Sequence, residues 1–154
     1  MTAGQITTSA QTMLIATFKV NGTMCGVDAM KIQEVIRIDH VTRVRHASGQ
    51  IVGIINLRGK IVTLIDMGVA LELGQLIRGP ESRAFIVEHE GEHVGLLADC
   101  AGEVVAANPE AIVPPPANMQ GVQSRFFEGV YQSNSGLIAI LNVAAVLSQQ
   151  DDAR

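Results

Sequence analysis

The chain has 154 residues, 47% of them hydrophobic and 17% charged, with a net charge of −4. A length of roughly 150 residues suits one compact domain that folds without a metal or disulfide. The composition argues against disorder, and no apolar run reaches the ~18 residues needed to span a bilayer. Four Phe, one Tyr and an acidic balance make nucleic acid a poor partner, because single-strand binders stack bases on aromatic rings along a basic groove.

Residues 1–12, MTAGQITTSAQT, lack the basic, apolar and cleavage-site succession of a signal peptide. They are expected to be a disordered lead of a cytoplasmic protein. From Met13 onward, glycine-centred turns separate apolar, β-branched runs. MLIATFKV meets Asn21-Gly22 and then TMCGV; GIINL meets Arg58-Gly59 and then KIVTLIDM. AFIVEH meets Glu90-Gly91 and then EHVGLLAD, and GVYQ meets Ser133-Asn134-Ser135-Gly136 and then LIAILN. These are four hairpin signals, since Gly supplies the positive φ of a tight turn. Helices are predicted near Asp28–Val35, near Met67–Leu73, and after Asn142, whose side chain can cap VAAVLSQQ. The Pro-rich stretch 107–121 is expected to be an extended loop or edge strand of the second half, and residues 149–154 a short tail.

The order of elements repeats. At an offset of 69, Gly22 matches Gly91, Gly26 matches Gly95, and Glu34-Val35 matches Glu103-Val104. At an offset of 76, Gly53-Ile54 matches Gly129-Val130, Leu64-Ile65-Asp66 matches Ile140-Leu141-Asn142, and Leu71 matches Leu147. A duplicated unit of roughly 65 residues, with halves at 13–79 and 80–148, suits a pair of small five-stranded barrels sharing a seam. Charge divides along the same line. Residues 1–79 carry +3 and residues 80–154 carry −7, a polarity suited to guided association with protein partners.

His89-Glu90-Gly91-Glu92-His93 matches the zinc-protease motif H-E-x-x-H, which would make a zinc-dependent hydrolase using His89 and His93 the competing reading. That chemistry needs a helix to bring the histidines to one metal, whereas the flanks favour strands and Gly91 aligns with the turn residue Gly22. Both histidines are expected to flank a hairpin and point at solvent. The chain has no nucleophile elbow and no phosphate loop. Cys25 and Cys100 read as buried thiols, Asp66 and Asp99 as caps. No metal, cofactor or catalytic residue is assigned. Arg58, with Asn56 and Gly59 beside it, lies in a tight turn between two apolar strands, from which its planar fork could project to bind a partner's carboxylates or carbonyls. The apolar density of Ile32, Val35, Ile36 and Ile38 around Glu34 is more than one short element can hide.

At these residues the sequence resembles the CheW-like family of bacterial chemotaxis coupling proteins, from about Met13 to Leu147. The carrying pieces are Cys25-Gly26-Val27-Asp28 with Met30-Lys31-Ile32-Gln33-Glu34-Val35, Val41-Thr42-Arg43-Val44, and Gly53-Ile54-Ile55-Asn56-Leu57-Arg58-Gly59 with Ile65-Asp66. Val94–Asp99, Glu103-Val104 and Leu137–Asn142 continue the match. The resemblance implies a mostly β fold of two SH3-like five-stranded barrels with short helices, one of them C-terminal. It implies a non-enzymatic adaptor that joins the cytoplasmic hairpin tip of chemoreceptors to the regulatory domain of the CheA-type histidine kinase, in arrays at the inner membrane. Receptor helices would lie in an apolar groove between the barrels, and the kinase would use barrel ends. Ile32, Glu34, Val35 and Arg58 match positions linked to receptor binding or coupling; Asn56, Thr42, Arg43 and Ala84 complete the expected partner-binding set. Departures are Ala47-Ser48 where a Pro-containing pair is common, Thr63 where Pro is frequent, and Cys25 where an aromatic is usual. They bear on which partners are served, including a related pathway of a pilus or another chemosensory cluster.

Overall fold

Four two-residue turns organise the strands. A computed structural model describes residues 12–45, 47–116 and 124–152. Its strands are β1 (Met13–Val20), β2 (Thr23–Asp28), β3 (Ile32–Arg37), β4 (Ile51–Leu57), β5 (Lys60–Asp66), β6 (Arg83–His89), β7 (Glu92–Ala98), β8 (Cys100–Ala107), β9 (Phe127–Ser133) and β10 (Gly136–Leu141). The four expected hairpins are β1–β2, β4–β5, β6–β7 and β9–β10. Asn21-Gly22, Arg58-Gly59 and Glu90-Gly91 each have both residues at positive φ, the conformation that matches the twist of the flanking strands.

The strands form two five-stranded sheets. Sheet A runs β8-β1-β2-β10-β9 and sheet B runs β3-β6-β7-β5-β4. Each sheet therefore mixes the two sequence repeats. The first two strands of one repeat join the last three of the other, and the repeat relation carries sheet A onto sheet B strand for strand. The parallel pairs β2–β10 and β5–β7 are the joints of this exchange.

An isolated bridge closes each sheet on itself. Beyond β3, Thr42 pairs with Ile54 of β4, and beyond β8, Val113 pairs with Val130 of β9. In each case the chain just beyond one edge strand meets the other edge strand, which closes the sheet into a small barrel. The equivalent glycines sit at these closures. A Cβ on Gly53 would overlap the Thr42 carbonyl oxygen, and one on Gly129 would lie 2.6 Å from that of Val113.

β1 and β6 are the central partition. Ile15–Phe18 and Ala84–Val87 are each four consecutive buried residues, because one face fills the strand's own barrel and the other meets the neighbouring barrel. Phe18 and Phe85 touch across that boundary with ring centroids 4.8 Å apart. Barrel A keeps a small core of its own, Ile15, Ala107, Ile138 and Ile140; the larger cluster spans both barrels.

Two expectations about helices change. Residues 28–35 do not form one: Asp28 caps a single 3-10 turn, Ala29–Lys31, and β3 follows at once. IQEVIR alternates half-buried and exposed residues and pairs with β6, so its period of two prevails over the capping signal. The short helix α1 (Met67–Ala70) is capped by Asp66, and α2 (Val143–Asp152) by Asn142, whose Oδ1 accepts from the Ala145 N–H at 3.0 Å. α2 runs on into the stretch expected to be a tail. In the Pro-rich segment, Asn108 caps the turn Pro109–Ala111 before Val113 makes its bridge. Residues 117–121 of that segment, and 1–11 of the expected lead, lie outside the described residues.

Candidate functional site

Most of the expected partner-binding residues gather on barrel B, where edge strands β3 and β4 approach each other. Ile32, Glu34 and Ile36 form the half-buried face of β3, while Gln33, Val35 and Arg37 face outward. Val35 remains 44% exposed. Thr42 closes the barrel through its backbone, donating to and accepting from Ile54 at 2.9 and 2.8 Å, and Arg43 beyond it is exposed.

Arg58 does not project free from its turn. Its guanidinium engages the Glu34 carboxylate with both terminal nitrogens, Nη1 donating to Oε2 at 3.3 Å and Nη2 to Oε1. This two-pronged pair spans the seam between β3 and the β4–β5 hairpin, laying a strap over the mouth of barrel B. Each partner supports the other's charged form. The hydrogen bond from Arg58 lowers the Glu34 pKa, and the bond to Glu34 raises that of Arg58. The backbone fixes the geometry. Arg58 has φ 52°, and Asn56 Oδ1 accepts from the Gly59 N–H at 2.8 Å, bracing the turn from within the hairpin.

Ala84 requires a correction. It is fully buried on β6, paired with Ile36, so its methyl packs in the core and offers no surface to a partner. Around the ion pair, Gln33, Leu57, Lys60, Val62, Ile86 and His93 line the same mouth. His93 and Gln33 were not expected there; the pairing of β7 within sheet B places His93, and Gln33 lies at the irregularity in the β3–β6 register between Ile32 and Glu34. Val104 is the counterpart of Val35 in barrel A. It is 61% exposed, and the offset of 69 is the signal that finds it.

The zinc reading fails on geometry. His89 ends β6 and His93 lies in β7, with His89 opposite Glu92 and Glu88 opposite His93 across the hairpin. Strands divide the motif that a helix would unite. Both imidazoles are half-buried, where solvent-facing positions were expected; His89 Nε2 lies 3.8 Å from Glu90 Oε1. Among the described residues no cluster of His, Cys, Asp or Glu could hold a metal. Cys25 is buried and Cys100 half-buried, and both are free thiols. Burial pushes the Cys25 pKa up to about 12, so it is no nucleophile at neutral pH.

The mouth of barrel B thus carries a surface ion pair, and Val35, next to Glu34 on β3, is exposed. The CheW-like domain model matches residues 15–151. The chain belongs to the CheW-like family. It is 29% identical to "Chemotaxis protein CheW" of Klebsiella aerogenes over 137 residues, covering 88% of this chain and 82% of that protein. Similarity to "Chemotaxis protein CheW" of Bacillus subtilis is 26% over 133 residues, 86% and 85% of the two chains. The crystal structure of the scaffolding protein TtCheW from Thermoanaerobacter tengcongensis superposes with a TM-score of 0.81 at 30% identity, covering 88% of this chain and 87% of that one. The two-barrel fold is that of the CheW-like family, whose matching members are named as chemotaxis and scaffolding proteins and not as enzymes. No helix among the described residues is long and apolar enough to cross a membrane.

Proposed function

We propose that this CheW-like chain is an adaptor of chemotaxis signalling that joins the cytoplasmic hairpin tips of chemoreceptors to the regulatory domain of a CheA-type histidine kinase, in arrays at the inner membrane. The observation that carries the receptor side is the rim of barrel B: a solvated Arg58–Glu34 pair next to half-buried Ile32 and exposed Val35. An exposed apolar side chain, Val35, beside a solvated ion pair supports a mixed apolar and polar contact with a protein partner. Ile32, Glu34, Val35 and Arg58 make the contact, with Asn56 holding the turn and Thr42 and Arg43 at the far end of the seam.

Coupling requires receptor states that contact this rim differently, because a ligand with equal affinity for two states shifts nothing. The rim suits that task. Its polar half is a reversible ion pair on the surface, and its base is a closed barrel that transmits position.

The test is reconstitution of receptor fragments, kinase and adaptor on vesicles. Arg58→Ala is expected to keep the thermal unfolding midpoint of the wild type while receptor control of kinase activity falls severalfold. Val35→Asp is expected to weaken capture by receptor fragments by about tenfold, the scale on which a buried apolar contact at an interface centre operates. Normal capture and control in both variants would remove the rim from the receptor interface.

A further inference from the structure

The repeat gives barrel A a mouth equivalent to the one that Arg58 straps. It is lined by Thr17, Met24, Glu103, Val105, Ile138 and the glycines Gly102 and Gly136. Under the two offsets Glu103 stands for Glu34, Met24 for His93, Ile138 for Val62 and Thr17 for Ile86. The residue standing for Arg58 is Asn134. The acid is therefore kept and the cation is gone. Glu103 is exposed, and among the described residues its carboxylate has no ion pair.

The cavity is also the larger of the two. Gly102 replaces Gln33, Ser133 replaces Leu57 and Gly136 replaces Lys60, so the opening holds about 170 Å³ against about 100 Å³ in barrel B. Thr17 Oγ1 donates to the Glu103 carbonyl oxygen at 2.6 Å, so the hydroxyl is satisfied within the wall that Thr17 shares with Met24, Val105 and Ile138. The opening is a half-open groove whose wall is mostly apolar. The methylene stem of one long side chain fits on this scale.

We infer that the mouth of barrel A receives an arginine side chain from a protein partner, its stem in the apolar cavity and its guanidinium on Glu103. Barrel B displays the ionic half of this contact once, intramolecularly, in the fork of an exposed Arg58 on Glu34. Arginine suits the site better than lysine because its fork can take both carboxylate oxygens, as Arg58 does with Glu34. A peptide-borne arginine suits it better than the free amino acid, whose own carboxylate would be brought towards Glu103 with no cation in the lining to meet it. The inference stands apart from the receptor contact proposed above, since it concerns the other barrel and none of that site's residues.

The test titrates the full chain with arginine blocked at both termini, followed by amide and methyl NMR shifts, and uses blocked citrulline as the neutral isostere. Blocked arginine should shift Met24, Gly102, Gly136 and Ile138 saturably, with a Kd of roughly 1 mM or weaker for so small a probe. Glu103→Gln should weaken it by about tenfold, and Asn134→Arg should occupy the mouth in cis and abolish it. In Arg58→Ala a second set of shifts should arise around Glu34. Equal binding of blocked citrulline, indifference to Glu103→Gln, or shifts spread over acidic residues elsewhere would overturn the inference, whatever the receptor assays report.

Discussion

Barrels A and B are built to one plan and differ where their side chains reach solvent. Both place a tight-packed glycine at the closing bridge, Gly53 against Thr42 and Gly129 against Val113. Both put a side-chain cap after the last strand, Asp66 and Asn142. At the mouths they part: barrel B carries Arg58 on Glu34, while barrel A carries Asn134 and an unstrapped Glu103. The difference teaches that the duplicated backbone devices close the barrels, whereas the rim residues are free to take up separate contacts. Each half of that statement can be broken separately.

The largest effects belong to the closures. Gly53→Val and Gly129→Val would each force β-branched atoms into a backbone carbonyl that is itself part of the bridge. Overpacking against backbone that cannot yield costs about 3 kcal/mol, so both variants should shift the denaturation midpoint by similar, large amounts. A large loss in one with none in the other would mean that the two closures are not equivalent. Next come the caps. Asp66 is buried and accepts from three N–H groups, those of Gly68, Val69 and Leu76. Asn142 accepts from Ala145. Asp66→Ala strands a buried loop amide as well as the helix start and should cost about 2–3 kcal/mol; Asn142→Ala should cost about 1 kcal/mol. Equal losses would show that the Leu76 contact contributes nothing and that the two caps do one job.

The same division explains what could be read from the sequence. Hairpins are local, and a turn glycine such as Gly22 or Gly91 announces itself within four residues. The repeat offsets likewise identify equivalent positions. They do not say which strands pair, so the exchange that puts β1 and β2 beside β8, β9 and β10 depends on tertiary contacts alone. Residues 28–35 looked helical because Asp28 does cap a turn; the alternation that makes Ile32–Arg37 a strand gains its meaning only from β6 as neighbour. Arg58 could be singled out from its turn, but its partner Glu34 lies 24 residues away across a seam that exists only once sheet B has closed. Ala84 misled for the converse reason. Its place in a family pattern says nothing of burial, and β6 is covered on both faces.

The smallest effect is that of the strap itself. Arg58 is 69% exposed, so the attraction is screened by water and salt and adds little to global stability. Its signature lies in pH. Arg58 holds the Glu34 carboxyl below its ordinary value of 4.5, so the folded chain keeps this group ionised where the unfolded chain has begun to take up a proton. The stabilisation from the pair is therefore complete above that ordinary value and is lost as pH falls through the lower folded one. An NMR titration of the Glu34 side-chain carboxyl should give a lower midpoint in the wild type than in Arg58→Ala, and high salt should narrow the gap. Coincident midpoints would mean that the strap does not persist in solution. Barrel B would then stand as open as barrel A, and the contrast between the two mouths would rest on cavity size alone.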